Sequence, residues 1–573
     1  MTLKKFLINT LLLIIDLLII LTSIIIFYIL MAGGNELRVN HHFIRFYSSR
    51  NLQIFLFSLL AARFALRDKG PFLGLKQFNL HDLPQKSLDL CRRVYSWIEN
   101  IDKKRALRIL FIIISISAII KILNAWHYYG FFSGDDVEIH EMTLASLFKW
   151  QDWKAWDLRN AFYPMFFIYP IQALVFYLGM KDPEILIFSG RLVVIAFSSV
   201  NIYLVFRIAT HLFKRFSIGL IASFLLAFSQ LCMTFGSSAL PRSVSSTFIL
   251  LCFLFLIVNP HRAWRVALAG VFLGIGSAIR FSEAIFIVPC LVYLFIEKRF
   301  SHIIWVSVLA LASALSILGI SDQLYWGSPF YSLKNIVNYT LVHKQSSRGY
   351  QSGLSYLFQL NQWTNFFIII AFLWGLRLKM WRLISWVLIP LILLSLLPHK
   401  EPRYLIPIIP FMALTTGAVS VRFLDMIVGK NDFNPNKRKI FAAFLVFAFM
   451  GSFLFEMDRF RFRGSESAVD AARWIDRQNG NGNIAIEQLW RAGGKLYFTQ
   501  KQGISDISPD EIGNTGYFLS VIDKPGIEFV ALKEEDVKKN KLEDLLVERG
   551  FREIDFGSKI KRDRYILYKN NNR

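Results

Sequence analysis

Residues 131–142 read FFSGDDVEIHEM and follow an apolar run long enough to cross a bilayer. They place Asp135, Asp136, Glu138, His140 and Glu141 together at a membrane surface. A carboxylate there can take a proton from a hydroxyl or hold that hydroxyl in position. Three further stretches carry complementary charge. SSALPRSVSS (237–246) presents Arg242 after an apolar run, and GSAIRFSEAIF (276–286) interrupts a hydrophobic hairpin at Arg280 and Glu283. LLPHKEPRYLIPIIPFM (396–412) sets His399, Lys400, Glu401 and Arg403 between two apolar runs. Carboxylates facing Arg, Lys and His suit one chemistry, in which a hydroxyl is deprotonated while a phosphate leaving group is stabilised. Alone, Asp135–Asp136 reads as a solvated acidic loop, and Arg242 or Arg280 as a side chain reaching from an apolar stem to the interface. HKEPRYLIPIIP is harder to dismiss, because its charges run into an apolar span with one proline between them.

The elements that must hold these groups are membrane helices. The 573 residues are 54% hydrophobic and 15% aromatic. Long apolar runs recur, among them LLLIIDLLIILTSIIIFYIL (11–30), LRILFIIISISAIIKIL (107–123) and FAAFLVFAFMGSFLF (441–455). This pattern excludes a soluble globular enzyme and predicts a polytopic α-helical membrane protein with roughly 12–14 transmembrane helices, from the ~20-residue length rule. The net charge of +24 falls largely in loops between apolar runs, as in cytoplasmic loops, and does not call for nucleic acid. Cys91, Cys232, Cys252 and Cys290 have no metal-ligand spacing and read as packing residues. The first run reads as an uncleaved anchor, with Asn9 and Asp16 turned to protein or to the interface.

Four segments follow from these signals. Residues 1–66 are expected to be N-terminal membrane anchor helices, and 67–106 a basic cytoplasmic loop. Residues 107–457 are expected to form the transmembrane catalytic core, and 458–573 a small soluble extracytoplasmic α/β domain. A helix starting near 107 then delivers Asp135 and Asp136 to the outside. RLKMWR (377–382) and Lys437–Arg438–Lys439 read as internal, so HKEPR (399–403), 321–361 and the C-terminal region emerge outside. One difficulty arises. Two apolar stretches, near 162–180 and 187–209, lie between Asp136 and the basic HLFKR (211–215). If both cross, that basic loop falls on the wrong side; the first, carrying Pro164 and Pro170, is the candidate for lying along the interface. In the C-terminal region SAVDAARWIDRQ has helical spacing, while GNIAIE, GIEFVAL and DRYILYK read as strands. KLEDLLVERG reads as a helix closed by Gly550, and RAGGKLYF as a glycine turn without phosphate-loop spacing.

HKEPRYLIPIIP resembles the His-Lys-Glu-x-Arg-Phe-x-x-Pro-x-x-Pro signature of glycosyltransferase family 22, within the GT-C superfamily. The match falls on His399, Lys400, Glu401, Arg403, Pro407 and Pro410, with Tyr404 at the aromatic position. Other pieces appear in the family's order. Asp135–Asp136 resembles its Asp-Glu pair in the first external loop, with Asp136 in place of Glu, and WDLRNAFYP (156–164) its Trp-Glu…Arg-Ser…Tyr-Pro stretch. LPRSVSSTF is similar to its Arg-containing helix start, and SDQLYWGSPFYSLKNIVNY (321–339) to its Asp…Tyr-Gly…Asn-Phe region.

The resemblance implies an integral-membrane glycosyltransferase of GT-C type. It would move a sugar, mannose in this family, from a polyprenyl-phosphate donor to a glycan or glycolipid acceptor, with inversion. The expected location is the periplasmic or lumenal face of a bacterial inner membrane or an ER-type membrane. On that reading Asp135 or Asp136 is the base. Arg242, Arg280, His399, Lys400 and Arg403 bind the donor phosphate, for which permanently charged, bidentate Arg is suited. Glu138, Arg159 and Glu401 position the acceptor. No cofactor is expected, a divalent cation at Asp135 and Asp136 being the alternative. The rivals are a GT-C transferase for protein, lipid A or arabinose chemistry, and a lipid-linked-sugar transporter or flippase. A transporter would spread its charges through the depth of the membrane.

Overall fold

The computed structural model describes residues 83–428 and 466–571, with short breaks in each, and parts of 14–59 before them. Most of the expected anchor, the final run at 441–455 apart from Ala442 and Val446, and Lys437–Lys439 lie outside the described residues. Within the stretch expected as anchor helices, β1 (Asn35–Val39) pairs antiparallel with β2 (His42–Phe46), a hairpin not foreseen from the sequence.

Within the expected basic loop, Leu83–Glu99 forms a helix, α1, whose Leu88, Cys91 and Tyr95 are buried against Phe367, Val419 and Phe423. It leads into α2 (Lys103–His127), one of four described helices long and apolar enough to span a bilayer. The C-terminal end of α2 lies beside the start of α5 (Pro183–Phe213). There Arg191 donates to the carbonyls of Ala125 at 3.2 Å and Gly130 at 2.7 Å, and Trp126 meets Phe188 edge-on at 4.9 Å. The intervening chain therefore leaves and returns at the same end of the helical body. It contains α3 (Gly134–Phe148), a π-helical turn (Pro164–Ile168) and α4 (Tyr169–Tyr177). Pro164–Tyr177 reaches only about 21 Å at ~1.5 Å per residue, short of the ~30 Å hydrocarbon layer. This removes the parity difficulty. HLFKR then falls at the opposite end of α5, where Arg215 pairs with Glu99 and with Asp425.

The following helices alternate in direction. α6 (Phe216–Ala227) and α7 (Gln230–Phe235) climb to the turn at 237–241, and α8 (Arg242–Ile257) descends. α9 (Ala263–Ile279) returns to Arg280, and a 3-10 turn (Phe281–Phe286) leads down into α10 (Ile287–Ile296). α11 (Phe300–Trp326) climbs again, and Trp326 Nε1 donates to the Arg159 carbonyl at 3.2 Å. α12 (Phe366–Arg377), α13 (Trp381–Leu396) and α14 (Ile409–Val428) complete the body. Its centre is an aromatic cluster in which Trp386 lies 4.9 Å from Phe253 and 5.1 Å from Phe411, all three buried. Ring pairs at such spacings add directional attraction to simple burial. Outward-facing Phe111, Ile119, Ile304 and Leu311 stay largely exposed, a surface that lipid must cover.

The C-terminal region is a five-stranded sheet in the order β4-β3-β5-β7-β6, comprising β3 (Asn483–Glu487), β4 (Ile504–Ile507), β5 (Ile527–Lys533), β6 (Phe551–Ile554) and β7 (Tyr565–Asn570). The first three pair parallel and the last two antiparallel. Three of these strands and the helix α15 (Ser467–Arg477) are where the sequence pattern puts them. Gly550 follows the Leu542–Glu548 helix at φ +83, a left-handed position that glycine takes without strain. One sheet face carries Ile484, Ile486 and Phe529, which pack with α15 and with Val137, Leu144, Leu186 and Ile187 of the helical body. The domain thus sits at the end of the body where α3 lies.

Cysteines placed at exposed Lys181 and Glu535 should react with a membrane-impermeant maleimide from one side, and one at exposed Lys104 only from the other. The four native cysteines are buried and should give little background. Labelling of all three positions from a single side would overturn this arrangement.

Candidate active site

Ser133 stands in extended conformation as the N-cap residue of α3, and Asp135 and Asp136 occupy its first turn, where the helix dipole favours negative charge. Neighbouring helical residues point about 100° apart at 3.6 residues per turn, so the two carboxylates diverge. Asp135 meets two guanidiniums. Arg159 Nη2 donates to one oxygen at 2.9 Å and Arg403 Nη2 to the other at 3.1 Å. Arg403 Nη1 also donates to Ser133 Oγ at 2.8 Å. One turn along, Glu138 accepts from Arg159 Nε at 2.8 Å and from the Trp156 backbone N–H at 2.6 Å. Burial opposes charge on Asp135, but Arg159, Arg403 and Arg280 outweigh it and hold the carboxyl well below the usual carboxylate range.

Asp136 faces inward. It is fully buried and accepts the Ala239 N–H at 3.0 Å, while the Tyr163 hydroxyl donates to the Ala239 carbonyl at 2.6 Å. These contacts fasten α3 and the start of the π-helical turn to the turn before α8. The adjacent carboxylates therefore serve different partners.

Arg242 and Glu283 form a buried pair, with Arg242 3% and Glu283 1% exposed. Arg242 Nη1 donates to both Glu283 oxygens at 2.9 and 3.1 Å, and the hydroxyls of Ser245 and Ser282 donate to the same carboxylate. The Arg242 guanidinium lies 4.4 Å from the Tyr404 ring centroid, and that of Arg280 lies 5.9 Å from the same ring. Arg280 forms no ion pair among the described residues, although Arg242, Asp135 and Arg403 are close enough to act on its charge.

The remaining sequence candidates spread around this centre. His399 sits 3.4 Å from Glu401 and 5.8 Å from the Tyr404 ring, and Glu401 also contacts Arg403. Lys400 is buried and donates to the backbone carbonyls of Gln351 and Leu397. His140 is buried, its Nδ1 3.0 Å from Gln172 Nε2. Reading by charge missed Tyr404, seen only as an aromatic in a motif, and Ser133, whose place before Gly-Asp-Asp is an N-cap signal. The motif charges gather at one end of the body, where a transport path would distribute them through its depth.

The Alg9-like mannosyltransferase family pattern matches residues 107–479. The chain belongs to this family. Its fold is similar to that of ArnT from Cupriavidus metallidurans in the apo state, at 10% identity over 80% of this chain and 97% of that one, with a TM-score of 0.53. ArnT bound to undecaprenyl phosphate gives 11% identity, the same coverage and the same score. The archaeal oligosaccharyltransferase AglB from Archaeoglobus fulgidus, in complex with an inhibitory peptide and a dolichol-phosphate, gives 11% identity, 81% and 74% coverage, and a TM-score of 0.52. At such identities the likeness shows the GT-C fold alone. No curated protein sequence matches. As a member of this family with this fold, the protein is a membrane glycosyltransferase.

Glu141 links the site helix to the sheet domain. It is half-buried and accepts the Lys495 N–H at 2.6 Å from a turn in which Gly493 and Gly494 have φ +90 and +60. A Cβ on Gly494 would come within 2.1 Å of a Glu141 oxygen, so glycine is required there. Burial pushes the Glu141 carboxyl up to about 7, against the opposing pull of the Lys495 N–H.

Two outcomes follow from these contacts. Arg242→Ala strands Glu283 as a buried unpaired charge and should destabilise the protein by about 3–5 kcal/mol, much of it recovered by adding Glu283→Ala. Thermal unfolding of the single and double variants measures this; equal stability of wild type and Arg242→Ala would contradict it. Because the folded state favours the protonated Glu141, stability should fall as pH rises from about 4.5 to about 7, and Glu141→Gln should flatten that dependence.

Proposed function

We propose that the protein transfers mannose from a polyprenyl-phosphate donor to a hydroxyl of a glycan or glycolipid acceptor, with inversion, on the extracytoplasmic face. The family supports the sugar, and the undecaprenyl phosphate bound to ArnT and the dolichol-phosphate in the AglB complex support the donor class. The observation that carries the reading is an ionised Asp135 held by Arg159 and Arg403 beside Arg280, a cation with no carboxylate partner among the described residues.

The donor phosphate meets Arg280, with the Nη2 of Arg242, which lacks a hydrogen-bond partner, facing the same region over Tyr404. The acceptor hydroxyl hydrogen-bonds to Asp135. Its oxygen attacks the anomeric carbon as the bond to the phosphate oxygen breaks, and that electron pair leaves with polyprenyl phosphate. Asp135 is too weak a base to deprotonate a free alcohol. The attacking oxygen, however, becomes a strongly acidic oxonium as its bond to carbon forms, and a weak carboxylate base then suffices. Proton transfer therefore comes late in the step. The arriving phosphate also competes for Arg403, which raises the basicity of Asp135 when the donor is bound. Glu138 and Glu401 keep Arg159 and Arg403 oriented; Lys400 and His399 support the loop that carries Arg403. The divalent-cation alternative asks Asp135 and Asp136 to turn toward one ion, breaking both arginine contacts and the Ala239 contact.

Asp135→Asn keeps the shape and removes the charge, so turnover should fall by roughly 10²–10⁴. Arg280→Ala should weaken transition-state stabilisation by about 2–4 kcal/mol. The assay is transfer from polyprenyl-phosphate mannose in detergent, with folding checked by gel filtration. Wild-type turnover in Asp135→Asn would remove the proposed base.

A further inference from the structure

The opposite end of the body carries a feature that sugar transfer does not use. α1 has a second apolar stripe besides its buried face: Leu90, Val94 and Trp97, at i, i+4 and i+7, are 48%, 37% and 61% exposed. On a helical projection Lys86 and Arg93 flank this stripe on its polar side. An exposed apolar stripe with a cationic margin is the pattern of a helix lying in the membrane interface.

Where α1 meets the first turns of α2, a cleft of about 400 Å³ opens, lined by Arg93, Ser96, Trp97, Asn100, Arg105 and Ile109, with no carboxylate in its wall among the described residues. Arg92 turns to Asp89 and Arg105 to Asp102, each at 3.6 Å between well-exposed side chains, whereas Arg93 has no ion-pair partner among the described residues. Such exposed pairs hold their charges weakly and leave Arg105 available to an anion. Lys103, Lys104 and Arg108 add positive charge from α2. Trp97 belongs to both the stripe and the cleft. Beyond Ile109, Ile112 and Ile116 on the same face of α2 are 54% and 45% exposed and continue the apolar surface toward the membrane interior.

We propose that the α1–α2 junction binds the phosphate headgroup of an anionic phospholipid in the leaflet opposite the site. Two guanidiniums meet the phosphate, Ser96 and Asn100 offer hydrogen bonds to the glycerol, and an acyl chain lies along Ile112 and Ile116. Free inorganic phosphate would satisfy the arginines but would leave the adjoining apolar surface uncovered, so the geometry selects a lipid.

The test is native mass spectrometry of the full-length protein with phosphatidylglycerol and with phosphatidylcholine of the same acyl chains. The wild type should retain phosphatidylglycerol at least tenfold better. The double variant Arg93→Gln/Arg105→Gln, eluting normally in gel filtration, should lose roughly tenfold in that retention and hold the two lipids alike. Millimolar inorganic phosphate should not displace the lipid. Undiminished phosphatidylglycerol retention by the variant, equal retention of both lipids by the wild type, or displacement by phosphate would each overturn the proposal.

Discussion

The ion bridge Arg159–Asp135–Arg403 is the contact on which the rest of the site depends. It joins segments 24 and 268 residues apart in sequence, and Glu138 and Glu401 extend it at either side. Partly buried charges of this kind are tolerated only when each has partners, so removing one member exposes the others to the cost of desolvation. The bridge therefore demands that the start of α3, the 156–160 stretch and the turn after Glu401 share one end of the body. The alternating direction of the helices meets that demand.

The same physics explains where charge is allowed. Charged groups are costly in hydrocarbon, and here most of those in the motifs sit at helix termini: Arg242 opens α8, Arg280 follows α9, and Arg403 lies in the turn before α14. Lys121, buried along α2, is an exception whose ammonium donates to Ser198 Oγ at 2.7 Å. Tyr404 gives two neighbouring cations a common ring, which offsets part of the repulsion between the like charges of Arg242 and Arg280.

Helix α3 is held from both sides. Its Asp135–Glu138 face meets the arginines, while Val137, Leu144 and Leu147 pack with the sheet domain, and Glu141 accepts an N–H from a residue 354 positions later. The orientation of Asp135 thus rests partly on a domain remote in sequence. The glycine pair that forms the docking turn looked like an ordinary turn because nothing local signals what it touches.

Much is legible in the sequence itself. Hydrophobic run length gives the membrane class, because the bilayer sets the length of a spanning element. Period-two and helical patterns give three of the five sheet strands and α15, since each depends only on near neighbours. The charged motifs, too, are visible as residues. What the sequence left undecided is their pairing. Asp135 and Asp136 are identical neighbours in the chain, yet a 100° step on the helix sends one to two arginines and the other to the Ala239 N–H. Arg242, Arg280, Lys400 and Arg403 are likewise similar on paper. Only the tertiary structure gives Arg242 to Glu283, Lys400 to backbone carbonyls and Arg403 to Asp135, and leaves Arg280 without a carboxylate among the described residues. It also keeps the proline-bearing stretch at 164–177 on one side. Charge type and periodicity are local properties of a chain, whereas the partner that neutralises a buried charge is fixed by distances across the whole fold.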